Sequence, residues 1–290
     1  MVALLAAVLA VSGSGCARTV ARPNPRMAQA LQMEESGVVA IGTLLEGDPA
    51  RVTLCSGALV APNLVLTARH CISHPITSTP SCDARGISHN GPHLGDDVDP
   101  SLIGVYVGAH VRVERDVPSA RAVTVLHPAG QTLCDADVAF VVLDHPLAGV
   151  TVLHMRLNAP VFAGDSVRPV GFGGGVARTL GDRMARDRST VLSVGPAQNA
   201  DTGAVLGPRE FEVDHATCRG DSGGPALDMQ TGEVVGIISR GGSCSVEGNH
   251  VYTRVDAYAR LAQAAFRQAE RATERNLVAM DLTTDKTMTP

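Results

Sequence analysis

The sequence predicts an all-β protein made of two antiparallel six-stranded β-barrels with a C-terminal α-helix. Three observations carry this prediction. Short runs of Val, Leu and Ile recur along the chain, and the 30 glycines and 17 prolines supply the turns that separate them. The runs form two groups, with a crossover at residues 146–160. Residues 256–276 instead have the apolar spacing of an amphipathic helix.

The chain starts with a predicted export signal over residues 1–16. Its apolar run is too short to span a membrane but fits the core of a signal peptide. Cys16 and the small residues before it resemble a bacterial lipoprotein cleavage site, so a lipid anchor at Cys16 is the alternative to plain secretion. Residues 17–35 are polar and indicate a linker or pro-segment. We expect a secreted or cell-envelope protein that contacts a membrane only through that anchor.

The first predicted barrel covers about residues 36–145. Its strands correspond to six apolar runs, at 38–45, 52–60, 63–67, 103–107, 121–126 and 138–143. A polar insertion at 73–100 lies between them, with candidate metal ligands His74, His89, His93, Asp96, Asp97 and Asp99. Their spacing matches no ligand pair on a helix, so a solvated loop is favoured and no metal or other cofactor is predicted.

The second predicted barrel covers about residues 160–256. Its runs lie at 150–156, 166–172, 189–194, 210–213, 225–228, 233–239 and 250–254. The helix follows at about 256–276, and residues 277–290 are interpreted as a flexible tail.

Composition narrows the function classes. The 290 residues are 44% hydrophobic with a formal net charge of −5, which provides a core but no basic surface, so nucleic acid is excluded as a partner. Seven cysteines are present. If Cys16 is removed or lipidated, the other six have the number needed for three disulfides in an oxidising compartment.

The chemistry centres on Cys-Arg-Gly-Asp-Ser-Gly-Gly-Pro at residues 218–225. A serine hydroxyl becomes a nucleophile when a base takes its proton, and the intermediate it forms needs donors for the new negative charge. Ser222 is the candidate nucleophile, and the backbone N–H groups of Gly220 and Ser222 are the candidate oxyanion hole. The surrounding glycines permit a tight turn that leaves room for a substrate carbonyl. A glycine-rich turn with an exposed serine is the structural alternative.

Two further stretches supply partners for this serine. Leu-Thr-Ala-Arg-His-Cys at 66–71 places His70 directly after a predicted buried strand. Asp-Ala-Asp-Val-Ala-Phe at 135–140 places Asp137 at the start of another. A base and the acid that orients it therefore each lie at a strand end, in the chain order His, Asp, Ser.

At this point the sequence resembles the chymotrypsin/trypsin-like serine proteases, in particular a bacterial-type secreted member. The matching stretches begin at Cys55, Leu66, Asp137, Gly171, Cys218, Gly236 and Val251 and keep the family's order. The resemblance implies a chymotrypsin-like protease domain over residues 36–272 that acts on protein or peptide substrates. It implies that His70, Asp137 and Ser222 form a catalytic triad and that Ser239 donates to the aspartate. A protein inhibitor is a further candidate partner.

The resemblance also implies two disulfides, Cys55–Cys71 beside the histidine and Cys218–Cys244 beside the specificity pocket. Cys82 and Cys134 then remain as a third pair, which would tie the insertion to the segment carrying Asp137. Two unrelated thiols are the alternative for this last pair.

The sequence departs from the family at its predicted activation site. The usual Ile-Val-Gly-Gly-like start, whose amino group pairs with the aspartate before the nucleophile, is absent before Gly37. Asp221 should still be buried and needs a partner, because an isolated buried carboxylate is costly. The candidate partners of Asp221 are a new amino terminus, formed by cleavage after Arg22 or Arg26, and an internal arginine.

The specificity pocket also departs from the family pattern. By resemblance its residues are Ala216, Thr217, Ser239, Arg240, Gly241 and His250. Ala216 takes the position where a carboxylate would read Arg or Lys, so cleavage after basic residues is disfavoured. His250 replaces a glycine and should narrow the pocket. We expect a preference for small or neutral residues, with an acidic residue, bound with help from Thr217 and Arg240, as the alternative.

Two functions from different classes remain. The favoured one is a secreted serine endopeptidase, and the other is a catalytically silent, protease-like binding protein. The missing activation start and altered pocket favour the second, whereas the complete set of triad residues favours the first.

Overall fold

The computed structural model describes residues 35–45, 52–77, 79–175, 179–214, 217–241, 244 and 249–285, with side chains as far as residue 275. The predicted export signal, Cys16 and nearly all of the predicted linker lie outside the described residues. So do Ala216 and the end of the predicted tail, from residue 286.

The first half of the chain forms a closed antiparallel barrel. The strands of this half are β1 (Val38–Leu44), β2 (Val52–Ala61), β3 (Leu64–Thr67), β4 (Ser73–Pro75), β5 (Leu94–Asp97), β6 (Ile103–Tyr106), β7 (Ala120–Leu126) and β8 (Ala139–Leu143). The barrel order is β1-β2-β3-β8-β7-β6, and β6 pairs back with β1. Strands β4 and β5 form a separate two-stranded sheet.

The second half forms another six-stranded barrel. Its strands are β9 (Ser166–Gly171), β10 (Met184–Ala185), β11 (Ser189–Val194), β12 (Ala197–Gln198), β13 (Val205–Leu206), β14 (Glu210–Val213), β15 (Pro225–Asp228), β16 (Val234–Gly241) and β17 (His250–Arg254). The order β9-β11-β14-β17-β16-β15 closes because β15 pairs with β9. Strand β10 pairs with β9 outside the barrel order, and β12 pairs with β13 in a separate two-stranded sheet. The predicted fold class is confirmed.

Strand β1 shows why the apolar runs are continuous rather than alternating. Val39 and Ile41 belong to the cluster inside the first barrel. Val38 and Ala40 belong to a second cluster that includes Phe172, just after β9 of the other barrel. Because successive side chains of a strand point to opposite faces, a strand covered on both sides needs apolar residues at every position.

The helix α1 (Ala259–Asp285) follows a 3-10 turn, Asp256–Tyr258, and contacts β3 and β8 of the first barrel. The alanines 262, 265, 269 and 272 are buried, at spacings that place them on one face. The Asn63 side-chain amide donates to the Ala269 carbonyl at 2.9 Å. No helix within the described ranges is long and apolar enough to cross a membrane.

The structure differs from the sequence predictions in three places. The predicted strand at 150–156 is absent, and an isolated bridge between Met155 and Val234 stands in its place. The insertion at 73–100 contains the β4–β5 hairpin, so it is not wholly a solvated loop. Helix α1 runs to Asp285, so residues 277–285 of the predicted flexible tail are helical; residues 277–280 are strong helix formers apart from one valine.

Candidate active site

His70 lies on a 3-10 turn, Arg69–Cys71, directly after β3. Two contacts fix this turn against its surroundings. Cys71 forms a disulfide with Cys55 of β2. The buried Arg69 guanidinium donates to the backbone carbonyls of Pro128 (3.3 Å) and Gly130. The His70 side chain itself keeps 22% exposure, so its free edge can be reached from solvent.

Asp137 holds His70 through two hydrogen bonds. It precedes β8 and is fully buried. His70 Nδ1 lies 2.8 Å from Asp137 Oδ2, and the His70 backbone N–H donates to Oδ1 at 3.0 Å. The Ser239 hydroxyl of β16 donates to Oδ2 at 2.6 Å, so both barrels contribute to the arrangement.

These contacts shift the two pKa values in opposite directions. Burial acts to lower the pKa of His70, but the charge of Asp137 and its hydrogen bond outweigh burial, so this pKa is raised. Burial acts to raise the pKa of Asp137, but His70 and the Ser239 hydrogen bond outweigh it, so this pKa is lowered. Asp137 therefore stays ionised while His70 gains basicity.

Ser222 lies on the loop that precedes β15, beside the same turn. Its carbonyl accepts from the Ser56 N–H at 2.8 Å and lies 3.6 Å from Cys71 Sγ. Gly223 has φ +79°, and a Cβ there would lie 2.2 Å from Thr67 Oγ1, at the end of the strand that leads to His70. Only glycine fits such a close approach. Among the described residues, no hydrogen bond joins the Ser222 hydroxyl to His70.

The same loop presents the candidate oxyanion donors. Gly220 has φ +100°, and its carbonyl accepts from the Ser56 hydroxyl at 2.7 Å. Within the described part of the chain, the N–H groups of Gly220 and Ser222 donate to no protein acceptor. Two unengaged N–H groups within one fixed turn are the type of donor that a developing oxyanion needs.

Asp221 has an internal partner, Arg186, which sequence reasoning did not identify. Arg186 follows β10, and its guanidinium binds Asp221 Oδ2 through Nη2 (2.6 Å) and Nε (3.1 Å). Asp221 is fully buried and also accepts from the N–H groups of Gly173 (2.7 Å) and Cys218 (2.8 Å). Of the alternatives for this carboxylate, the structure contains the internal arginine. The only sequence signal was a cluster of arginines at 183–188.

The predicted pocket residues do not all face one space. A cleft of about 840 Å³ is lined by Ser239, Arg240 and Gly241 together with His70. Thr217 and His250 are not among the residues that line it. His250 is fully buried, and its Nδ1 lies 3.2 Å from the Thr217 hydroxyl. The predicted narrowing of the pocket by His250 is therefore not seen in this cleft.

Arg240 lines the cleft but is engaged elsewhere. Both of its terminal nitrogens bind the buried carboxylate of Glu210, with Nη2 at 2.8 Å from Oε2. Nη2 also lies 3.2 Å from the Val205 carbonyl oxygen. Its charge is thus compensated within the protein, which weakens its predicted role as a donor to an acidic substrate residue.

The candidate metal ligands of the insertion form no cluster that could hold a metal ion within the described residues. His93 is buried, and its ring nitrogens contact Leu133 N–H (3.1 Å) and Asn90 Oδ1 (2.8 Å). Asp97 instead accepts from His127 at 2.6 Å. Cys82 forms a disulfide with Cys134, which ties the insertion to the segment carrying Asp137, and Cys218 forms one with Cys244.

Comparison with known proteins identifies a protein family that matches most of this chain. A family model described as Trypsin matches residues 43–262. The cercarial protease of Schistosoma mansoni is 29% identical over 199 residues, which cover 65% of this chain and 71% of that protein. Mannan-binding lectin serine protease 1 of Rattus norvegicus is 27% identical over 237 residues, covering 75% of this chain but only 32% of that longer protein.

A solved structure shares the fold. The crystal structure of an inactivated protease paralogue from the scabies mite matches with a TM-score of 0.58 at 19% identity. The match covers 81% of this chain and 96% of that one. At this identity the likeness supports the arrangement of the two barrels and carries no information about activity.

Proposed function

Because this chain belongs to the trypsin family, we propose that it is an extracytoplasmic serine endopeptidase that hydrolyses peptide bonds through an acyl-enzyme. The observation that carries the proposal is the two-point attachment of His70 to a fully buried Asp137, with Nδ1 at 2.8 Å from one carboxylate oxygen. An orienting carboxylate of this kind is needed when the imidazole must act as a base.

In the proposed reaction the Ser222 hydroxyl attacks the carbonyl carbon of the scissile bond while His70 takes its proton. Asp137 keeps Nδ1 protonated, so that Nε2 is the basic atom, and it stabilises the imidazolium that forms. The intermediate then collapses: His70 returns its proton to the leaving amine, the C–N bond breaks and the acyl group stays on Ser222. Water attacks the ester by the same sequence, with His70 again as base and acid.

The intermediate carries a negative charge on the former carbonyl oxygen. The N–H groups of Gly220 and Ser222 would receive it, and their fixed orientation avoids a reorganisation cost during the reaction. Loss of one such donor typically slows turnover by about two to three orders of magnitude.

The proposed enzyme does not require an activating cleavage. In the family, as the sequence resemblance implied, a new amino terminus pairs with the aspartate beside the nucleophile. Here Arg186 binds Asp221 at 2.6 Å, so the charge that orders the oxyanion loop comes from within the chain. A predicted pro-segment at 17–35 would then act as a linker.

Export and anchoring belong to the same proposal. Three disulfides favour an oxidising compartment, and the apolar start of the chain favours a signal peptide over residues 1–16. Cys16 is the candidate lipid anchor. The bacterial-type assignment rests on this cleavage-site pattern alone, because the relatives reported above are animal proteins. Proteins or peptides are the proposed substrates, and a protein inhibitor remains a candidate partner.

The first test is labelling of the uncleaved protein with a fluorophosphonate, which reacts with an activated serine beside a formed oxyanion hole. We expect stoichiometric labelling without proteolysis and none in Ser222→Ala, as read by intact mass. Labelling that appears only after limited proteolysis would contradict the role of Arg186. No labelling in either form would overturn the enzyme proposal.

A second candidate function is a catalytically silent binding protein of the same fold. The lack of a hydrogen bond between Ser222 and His70 within the described residues favours it. This observation is also compatible with an enzyme whose hydrogen bond tightens on substrate binding. Fluorophosphonate labelling separates the two functions.

A further inference from the structure

The described lining of the cleft beside His70 carries a net positive charge, in a chain whose formal net charge is −5. Its described lining contains three ionisable residues, His70, Arg219 and Arg240, and no carboxylate. The wall formed by residues 75, 77 and 79–82 is uncharged and consists mainly of proline and threonine. The charge of the described lining is therefore opposite in sign to that of the whole chain.

Arg219 is the source of this charge. Arg240 is paired with the buried Glu210, and His70 is held as a base by Asp137. Arg219 is exposed, and no hydrogen bond or ion pair of its guanidinium is present in the described part of the chain. A long cationic side chain in a concave site attracts anionic groups, and the walls of the cleft strengthen its field.

The position of Arg219 limits where such a group would bind. It directly precedes Gly220, whose N–H is the proposed oxyanion donor, and its own carbonyl accepts from Gly174 at 3.2 Å. The backbone of this residue is therefore anchored, while its exposed side chain lines the cleft. An extended arginine side chain spans about two residues of an extended peptide, at about 3.3 Å per residue.

We propose that Arg219 selects substrates with an aspartate or glutamate within two residues of the scissile bond. This inference rests on the proposed function, because it places the substrate in the cleft beside Ser222. It makes acidic polypeptide segments the substrate class. A carboxylate facing this guanidinium forms a charge-assisted hydrogen bond that an amide of equal size cannot match.

The test compares cleavage positions in a proteome-derived peptide library digested by the wild-type protein and by Arg219→Gln. Arg115→Gln is the matched control, because Arg115 is also exposed but lies outside the cleft lining. We expect Asp and Glu to be enriched about two- to five-fold over Asn and Gln near the cleavage site, the range for an exposed ion pair. The enrichment should persist in Arg115→Gln and disappear in Arg219→Gln.

Two arms separate this inference from the proposed function. If a fluorophosphonate labels Ser222 but acidic residues are not enriched, or remain enriched in Arg219→Gln, the inference fails and the enzyme proposal stands. If labelling fails, the inference is decided by binding of fluorescein-labelled (Gly-Glu)₄ and (Gly-Gln)₄ peptides to Ser222→Ala. About two- to five-fold tighter binding of the glutamate peptide at low salt, lost on adding Arg219→Gln, supports it. Equal binding of the two peptides overturns it.

Discussion

Asp137 bears a negative charge with no exposed surface, and every contact it makes with His70 and Ser239 favours that charge. The lowered pKa of Asp137 and the raised pKa of His70 are two results of the same pairing. The backbone hydrogen bond from His70 N–H adds a constraint that the ring contact alone lacks, because it fixes the turn as well as the imidazole. The pair therefore sets both the basicity and the direction of Nε2.

Asp137→Asn removes the charge and keeps the shape. We expect the rate of fluorophosphonate labelling to fall by about four orders of magnitude, as expected when the orienting acid of a triad becomes an amide. Because the pKa of His70 is raised by Asp137, wild-type labelling should fall as the pH drops through a pKa above that of free histidine. The pH–rate profile of Asp137→Asn should shift to lower pH. A rate within ten-fold of wild type would contradict the orienting role.

The segment between β10 and β11 brings Arg186 to the loop that carries Ser222. Arg186 and Asp221 are far apart in the sequence, so their contact depends on the fold. His70, Asp137 and Ser222 were predictable because each lies in a local pattern at a strand end. Arg186 was not, because nothing nearby in the sequence distinguishes it from Arg183 or Arg188. The strands of both barrels were predictable from buried β-branched runs.

The predicted strand at 150–156 shows the limit of that reasoning. Leu153 is buried, and its N–H donates to the Leu59 carbonyl at 2.8 Å, yet the segment joins no sheet as a strand. The sequence reveals which apolar side chains will be buried, but it does not reveal whether the segment pairs as a strand. The β4–β5 hairpin was missed for the opposite reason: its strands pair, but the insertion has a polar composition that does not indicate strands.

Arg186→Gln leaves the carboxylate of Asp221 buried without a charged partner. We expect a loss of about 3–5 kcal/mol in the free energy of unfolding, the cost of breaking a buried ion pair, and a large loss of labelling. Arg188→Gln is the matched control, because Arg188 is exposed and its guanidinium contacts only the Ser166 hydroxyl among the described residues. Chemical denaturation and labelling rates measure the two effects. Equal behaviour of the two variants would contradict the role of Arg186.

A buried polar junction connects the two barrels and the 3-10 turn that precedes helix α1. The Asp135 N–H donates to Glu210 at 2.8 Å, Glu210 binds Arg240, and the Tyr258 hydroxyl donates to the Asp135 carbonyl. Burial raises the pKa of Asp135 to about 6, against the opposing effect of the hydrogen bond from Arg209 N–H. The charged form of Asp135 is thus disfavoured in the folded protein, two residues from Asp137.

Asp135→Asn should remove a dependence of stability on pH. Because the folded-state pKa lies above that of the unfolded chain, the folded protein binds more protons between about pH 4 and pH 6, and this contribution is lost as the pH rises. We compare the free energies of unfolding of the wild type and of Asp135→Asn. The wild-type value minus the variant value should fall by about 2–3 kcal/mol from pH 4 to pH 7. Urea unfolding across this range measures the difference. A constant difference would show that Asp135 does not titrate as described.

Helix α1 leaves the second barrel at β17 and packs its alanine face on β3 and β8 of the first. The helix is therefore bonded to the second barrel and packed on the first. To separate the barrels, the protein must also remove the helix from this surface, which its small side chains approach closely. We therefore expect the helix to limit relative movement of the barrels and to make their unfolding cooperative.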